Sequence, residues 1–266
     1  MGQERATISH IEGATGRMEC ISASYRAHRF IPHFHETYVV GVVTSGAART
    51  RYRGADVVLR PGSVFVIEPG EVHAGESAED EGFSYRAFYP SVDDMRVAGV
   101  VGGRPRFARL GYADAELASR VAAMHEAATS GACSGADVAV LLAELVRRFG
   151  DTGSALTCHG HRAVRIAREH VEQNYAHRVP LATLSEVSGM STFHLIRVFR
   201  REVGLPPGMY LHLVRIRHAT EMLRAGEPIS HVAYASGFSD QSHLTRRFRR
   251  IMGVTPGEYA RRNRAA

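Results

Sequence analysis

The chain reads GFSDQSHLTRRFRRIMGVTPGEY from Gly237 to Tyr259 and GMSTFHLIRVFRREVGLPPGMY from Gly189 to Tyr210. The two stretches repeat one plan. A Gly-apolar turn leads through small polar residues into a helical run with an apolar stripe and a basic face. A glycine stops the run and Pro-Gly-x-Tyr restarts the chain. Equivalent positions (Gly204 and Gly253, Pro207 and Pro256, Tyr210 and Tyr259) stand 49 residues apart. Two copies are too few for a solenoid. A turn followed by a basic helix, twice, predicts paired helix-turn-helix units.

The flanking residues complete each unit. His161 to Tyr175 places Val164, Ala167, Val171 and Tyr175 at helical spacing. Pro180 opens a short helix, Leu181 to Ser188, with Leu181, Leu184 and Val187 expected inward. Gly189 supplies the turn, where a positive φ is easiest, and Ser191 can cap the next helix. That helix should bury Leu195, Val198, Phe199 and Val203 and expose Thr192, Phe193, Ile196, Arg197, Arg200 and Arg201. Met209 to Arg224 is a long amphipathic helix of about 25 Å. With the thickness of the modules, it would set the two reading helices about 34 Å apart, one turn of DNA. Gly226-Glu227-Pro228 ends it. A short helix with Ile229, Val232 and Ala233 follows, then Gly237. The second reading helix buries Leu244, Phe248 and Ile251, and leaves Gln241, Ser242, His243, Thr245, Arg246, Arg249 and Arg250 outside.

Charge follows the same division. Residues 161–266 hold 17 arginines against 8 acidic residues, and residues 1–160 hold 16 against 19. A basic C-terminal half on a slightly acidic N-terminal half points to a polyanion meeting the C-terminal half alone. All 33 basic residues are arginine. Coding bias accounts for that usage, although arginine also suits bidentate contacts to guanine and phosphate. Cys20, Cys133 and Cys158 have neither disulfide-framework nor zinc-site spacing. Free thiols fit a reducing cytoplasm. No leader-like or membrane-spanning apolar run is read.

From about Glu12 to Pro90, short β-rich runs alternate with Gly/Pro turns, which predicts a small barrel or sandwich. His33-Phe34-His35 precedes the strand at Tyr38–Val43, and His73 follows Pro69-Gly70-Glu71-Val72. Residues two apart on an extended chain share a face, so His33 and His35 point the same way. Tyr38, Arg53, Tyr85 and Arg86 are further candidates to line a cavity. Tyr85 and Arg86 are neighbours, so a regular strand turns only one of them inward. Arg53, beside Gly54, can equally sit at a hairpin tip. Two amphipathic helices follow. The first is capped by Asp114 and carries Leu117, Val121, Met124 and Ala128. The second is capped by Asp137 and carries Val138, Leu141, Leu142, Leu145 and Phe149. Their stripes can pack on the barrel or against a second subunit, and a dimer is expected. Residues 151–160 read as a linker.

The block from His161 to Arg262 resembles the AraC/XylS-type DNA-binding domain, and GFSDQSHLTRRFRRIMGVTPGEYARR matches that family's signature nearly position by position. The order HxH then PGxxH resembles the cupin pattern of the sensor domains that precede it. Cupins often add a metal-binding glutamate four or five residues after the HxH; here Val39 and Val40 stand there. A full metal ligand set is therefore not evident and no cofactor is expected. His33, His35 and His73 can still bind a metal, but they are read first as polar groups of an effector pocket, or as histidines satisfied by hydrogen bonds.

The resemblance implies an α+β multidomain chain. A cupin-like β-barrel (1–112) is followed by a helical hairpin for dimerisation (113–150), a linker (151–160) and an all-α domain of two helix-turn-helix modules joined by a long helix (161–266). It implies a cytoplasmic transcription regulator that binds double-stranded promoter DNA as a homodimer, answers a small-molecule effector and meets RNA polymerase. By position, Thr192, Phe193, Ile196 and Arg197, then Asp240, Gln241, Ser242 and Arg246, match its base-facing places. Asp240 also suits a helix cap, the favoured reading. Arg200, Arg201, Arg249 and Arg250 read as phosphate contacts. The rival class is a metal-dependent cupin enzyme carrying a DNA-binding tail.

Overall fold

The computed structural model describes residues 4–99, 104–151, 162–252 and 254–264. The linker reading (beyond Asp151), Cys158 and Gly253 fall outside the described residues. The chain divides into two compact units, one up to Leu156 and one from Thr157.

The first unit is built on antiparallel strands. They are β1 (Arg5–Glu12), β2 (Arg17–Tyr25), β3 (Val39–Gly46), β4 (Ala48–Tyr52), β5 (Ala55–Leu59), β6 (Ser63–Ile67), β7 (His73–Ser77) and β8 (Phe83–Tyr89). Short helix α1 (Val92–Gly99), the brief strands β9 (Arg106–Phe107) and β10 (Gly111–Ala113), α2 (Ala115–Thr129), α3 (Gly135–Phe149) and β11 (Gly150–Asp151) follow. The strands form a six-stranded sheet in the order β1-β2-β8-β3-β6-β10, a three-stranded sheet β5-β4-β7 and the small pair β11-β9. The expected barrel is thus not closed. The chain leaves one large sheet for the other at Gly46 (φ 66°), where any side chain would collide with the Gly82 carbonyl.

Strand alternation sorts side chains to two cores. Val40, Val42, Val64, Val66 and Phe88 face the helices, where they meet Leu117, Val121, Leu142 and Leu145. Val39, Val43, Phe65, Ile67, Phe83 and Ala87 face the space between the sheets. β3 and β6 are buried on both faces, which is why they read as continuous apolar runs. The helical stripes thought available to a partner subunit lie in the first unit's own core. Asp114 caps α2 by accepting from the Leu117 N–H at 2.9 Å. α3 starts earlier than expected: Ser134 is its cap, and Asp137 closes a capping box from the third helical position.

The second unit is helical: α4 (Arg162–Asn174), α5 (Leu181–Ser188), α6 (Thr192–Val203), α7 (Pro207–Arg224), α8 (Ile229–Ala235), α9 (Gln241–Met252) and α10 (Pro256–Arg264). Glycines in the left-handed region terminate helices at Gly189 and Gly204. α6 buries Leu195, Val198, Phe199 and Val203 as expected, and α9 buries Leu244 and Phe248 with Ile251 packed beside them. In α5 only Leu184 is fully covered; Leu181 and Val187 are 38% and 37% exposed. Among the described residues no helix is long and apolar enough to cross a membrane.

Candidate functional site

The reading surface is assembled twice. In the first module, α5, Gly189 (φ 67°) and α6 follow one another, and the Ser191 hydroxyl accepts from the His194 N–H at 3.4 Å. Thr192, Phe193, Arg197, Arg200 and Arg201 are exposed and Ile196 is half-buried. Phe193 is 79% exposed, an unusual position for a phenylalanine. In the second, α8, Gly237 (φ 82°) and α9 repeat the plan. Asp240 accepts from the His243 N–H at 2.7 Å. That bond, before the one from Ser239, holds its carboxyl below the usual range. Asp240 therefore has the capping role, and Gln241, Ser242, Arg246, Arg249 and Arg250 stand exposed beyond it.

α7 ties the modules together. Buried Arg215 donates from Nε to the Tyr175 carbonyl and from a terminal nitrogen to the His177 carbonyl, both at 2.8 Å, with its guanidinium 5.9 Å from the Phe238 ring centroid. Glu172 of α4 accepts from the Tyr210 hydroxyl and from Arg217, each at 2.6 Å. The Tyr175 and His218 rings stack at 3.8 Å. Sequence reading passed over Arg215 because a charged residue in an amphipathic helix ordinarily faces water.

The sensor unit holds a cavity of about 260 Å³ between its two large sheets, lined almost wholly by apolar and aromatic side chains. His33, His35, His73 and Tyr85 line it. His33 and His73 exchange backbone hydrogen bonds (3.0 and 2.8 Å), and the His35 carbonyl accepts from Gly70 N–H at 2.8 Å. The HxH and PGxxH segments are thereby pinned side by side. Burial lowers the pKa of His33 and, with the neighbouring imidazoles, of His73; burial and His33 push His35 down to about 3. All three are neutral at pH 7.

Three residues expected at the cavity lie elsewhere. Tyr38 is buried on the helix side, with its hydroxyl on the Pro105 carbonyl at 2.6 Å. Arg53 (φ 48°) and Gly54 (φ 78°) form the two-residue tip between β4 and β5, and Arg53 pairs with buried Glu68 at 2.8 Å. Arg86 faces α2, where it donates to the Ala122 carbonyl and to Glu126, each at 3.1 Å. Tyr89 was missed, although it shares the parity of Phe83, Tyr85 and Ala87 on β8 and lines the cavity with His35 5.2 Å away, ring to ring.

A model of AraC-like ligand binding domains matches residues 15–146, and a helix-turn-helix domain model matches residues 184–262. The chain is an AraC-type transcriptional regulator. Its DNA-binding unit is the paired-module unit and its ligand-binding domain is the sensor unit. The HTH-type transcriptional regulator YbfI of Bacillus subtilis is 29% identical over 223 residues, 81% of each chain. The multiple antibiotic resistance protein MarA of Escherichia coli is 34% identical over 72 residues, 27% of this chain and 57% of its own. The crystal structure of ToxT from Vibrio cholerae shares the fold, with a TM-score of 0.54 at 13% identity over 97% of this chain and 96% of that one. The ToxT fold spans both units of this chain, whereas the MarA match is confined to a short stretch of it.

Proposed function

We propose that a small molecule held between the sensor sheets controls how the two reading helices engage promoter DNA, and that the chain works as a regulator and not as a catalyst. The observation that carries the reading is the doubled module. Two left-handed glycine turns present two arginine-rich helix faces, on a chain that also carries a half-open, largely apolar cavity. Thr192, Phe193, Ile196 and Arg197 on α6, and Gln241, Ser242 and Arg246 on α9, read base edges. Arg200, Arg201, Arg249 and Arg250 contact phosphates.

The protein acts in the cytoplasm, on promoters served by RNA polymerase, as a homodimer. With the α2 and α3 stripes buried, the outward faces of α1 and α3 are left for a dimer interface; Val97 and Val140 stand exposed there.

Affinity for the duplex upstream of the gene, measured across a salt series, tests the reading. The logarithm of affinity should fall steeply with that of salt. Replacing Arg249 and Arg250 by alanine should reduce the slope by about 0.9 for each phosphate no longer neutralised. A slope unchanged in this double variant and in Arg200→Ala/Arg201→Ala would overturn the assignment of these helix faces.

A further inference from the structure

His33, His35 and His73 are arranged as ligands and not only as cavity wall. One ring nitrogen from each lies within 4.8 Å of the other two. The Nδ1 atoms of His33 and His73 sit 2.8 Å from the Ile31 carbonyl and 3.1 Å from the Glu71 carbonyl. A carbonyl oxygen only accepts, so both Nδ1 atoms carry the proton and both Nε2 atoms present lone pairs. An outer hydrogen bond of this kind is what orients a metal-bound histidine. A tetrahedral ion with bonds of about 2.0–2.1 Å would draw the nitrogens closer by up to about 1.5 Å.

The departure from the cupin ligand set decides what such a site would take. Among the described residues no aspartate, glutamate, lysine or arginine lines the cavity. Val39 lies on the cavity wall and Val40 on the opposite face of the sheet. Three neutral imidazoles suit a borderline transition-metal dication better than calcium or magnesium. They would leave its full double charge beside a largely apolar, half-open cavity wall, where an uncompensated charge is costly. The counter-charge must then arrive with the ligand.

We propose that His33, His35 and His73 hold a divalent transition-metal ion whose open coordination position faces the cavity, and that the effector is an apolar molecule carrying one anionic donor that completes the ion's shell. The inference rests on the cavity being the effector site. Bound metal would select an apolar anion, whereas the cavity without it has no fixed cation to offer one.

The full chain, stripped of metal by chelator dialysis, is titrated with Co²⁺ and followed by visible absorption, then offered octanoate or, as the neutral counterpart, octanol. One Co²⁺ should bind per chain. His33→Ala and His73→Ala should each weaken it by about 100-fold, at or beyond the upper end of the effect of losing an outer-shell partner. Octanoate should bind at least about tenfold tighter with Co²⁺ than without it and shift the Co²⁺ bands, while octanol binds equally in both states. The comparison on the unaltered chain keeps the test independent of whether the variants fold. If Co²⁺ fails to bind, or octanoate neither gains affinity nor moves the bands while octanol enters, the metal-anchored effector is overturned and the cavity reading stands. If neither molecule enters with or without metal, both fall.

Discussion

Gly189 and Gly237 close equivalent turns with left-handed backbones, but their surroundings differ. A side chain at Gly189 would meet nothing within 4 Å. One at Gly237 would lie 2.7 Å from the Tyr175 carbonyl oxygen, and 2.9 Å from both the Ala176 carbonyl oxygen and Arg215 Nε. The first turn is a free-standing hinge between two helices. The second is wedged against the end of α4, and Arg215 fills the remaining space. A repeat in sequence has become an asymmetric device: the second reading helix is oriented by the body of the first module through α7.

The caps and faces carry the same asymmetry. Ser191 holds α6 through one long hydrogen bond, whereas Asp240 holds α9 through a short, charge-assisted one. At the positions proposed to face bases, α6 offers Thr192, Phe193, Ile196 and Arg197, and α9 offers Gln241, Ser242 and Arg246. The first reader suits thymine methyls and shape, the second hydrogen-bond donors and acceptors of base edges.

The largest effect should come from the turns. Gly189→Ala should cost about 1–2 kcal/mol for the left-handed backbone alone. Gly237→Ala adds an overpacking term of about 1–3 kcal/mol, read by urea unfolding of the two variants. Equal costs would break the contrast between a free and a wedged turn. Next, Arg246→Ala and Arg197→Ala should each weaken DNA binding by about 1–3 kcal/mol and relax discrimination at a single base pair, seen by competition among single-mismatch duplexes.

The smallest effect concerns acid. Burial, then Arg247 and Arg215, push His212 down to about 4, and His212 packs near Phe238 and His243 of the second module. Its ordinary value is about 6.5. Between those two values the unfolded chain binds more protons than the folded one, so stability falls as pH drops through that window and is unaffected above it. His212→Gln should flatten the acid limb of the melting temperature. Amide exchange at pH 5 should show α8 and α9 loosening before α5 and α6; the reverse order would contradict the placement.

Much of this was legible in residues. The doubled turn-helix signature announced the reader, because a glycine turn, a small cap and an apolar stripe are local devices. The short apolar runs of β3 and β6 announced strands. Sequence alone left Tyr85 and Arg86 open; the structure turns Tyr85 to the cavity, on the side of the strand it shares with Phe83, Ala87 and Tyr89. What escaped was either short or non-local. α1 spans too few residues to show a helical period, and β1 is mostly exposed and polar, with little pattern to read. Whether the sheet closes, whether α2 and α3 cover it, and whether Arg53 reaches Glu68 depend on chain crossings that no window of sequence contains. The histidine cluster was half legible: the shared face of His33 and His35 followed from the strand period, but the bridge that brings His73 beside them did not.

Selection of bound duplexes from a random library, with the unaltered chain and with Arg246→Ala, tests the two-reader account most directly. The account predicts a non-palindromic site of two unlike elements about one helical turn (~34 Å) apart, and Arg246→Ala should blur one element while leaving the other intact. Two identical elements, or a variant that blurs both equally, would contradict it.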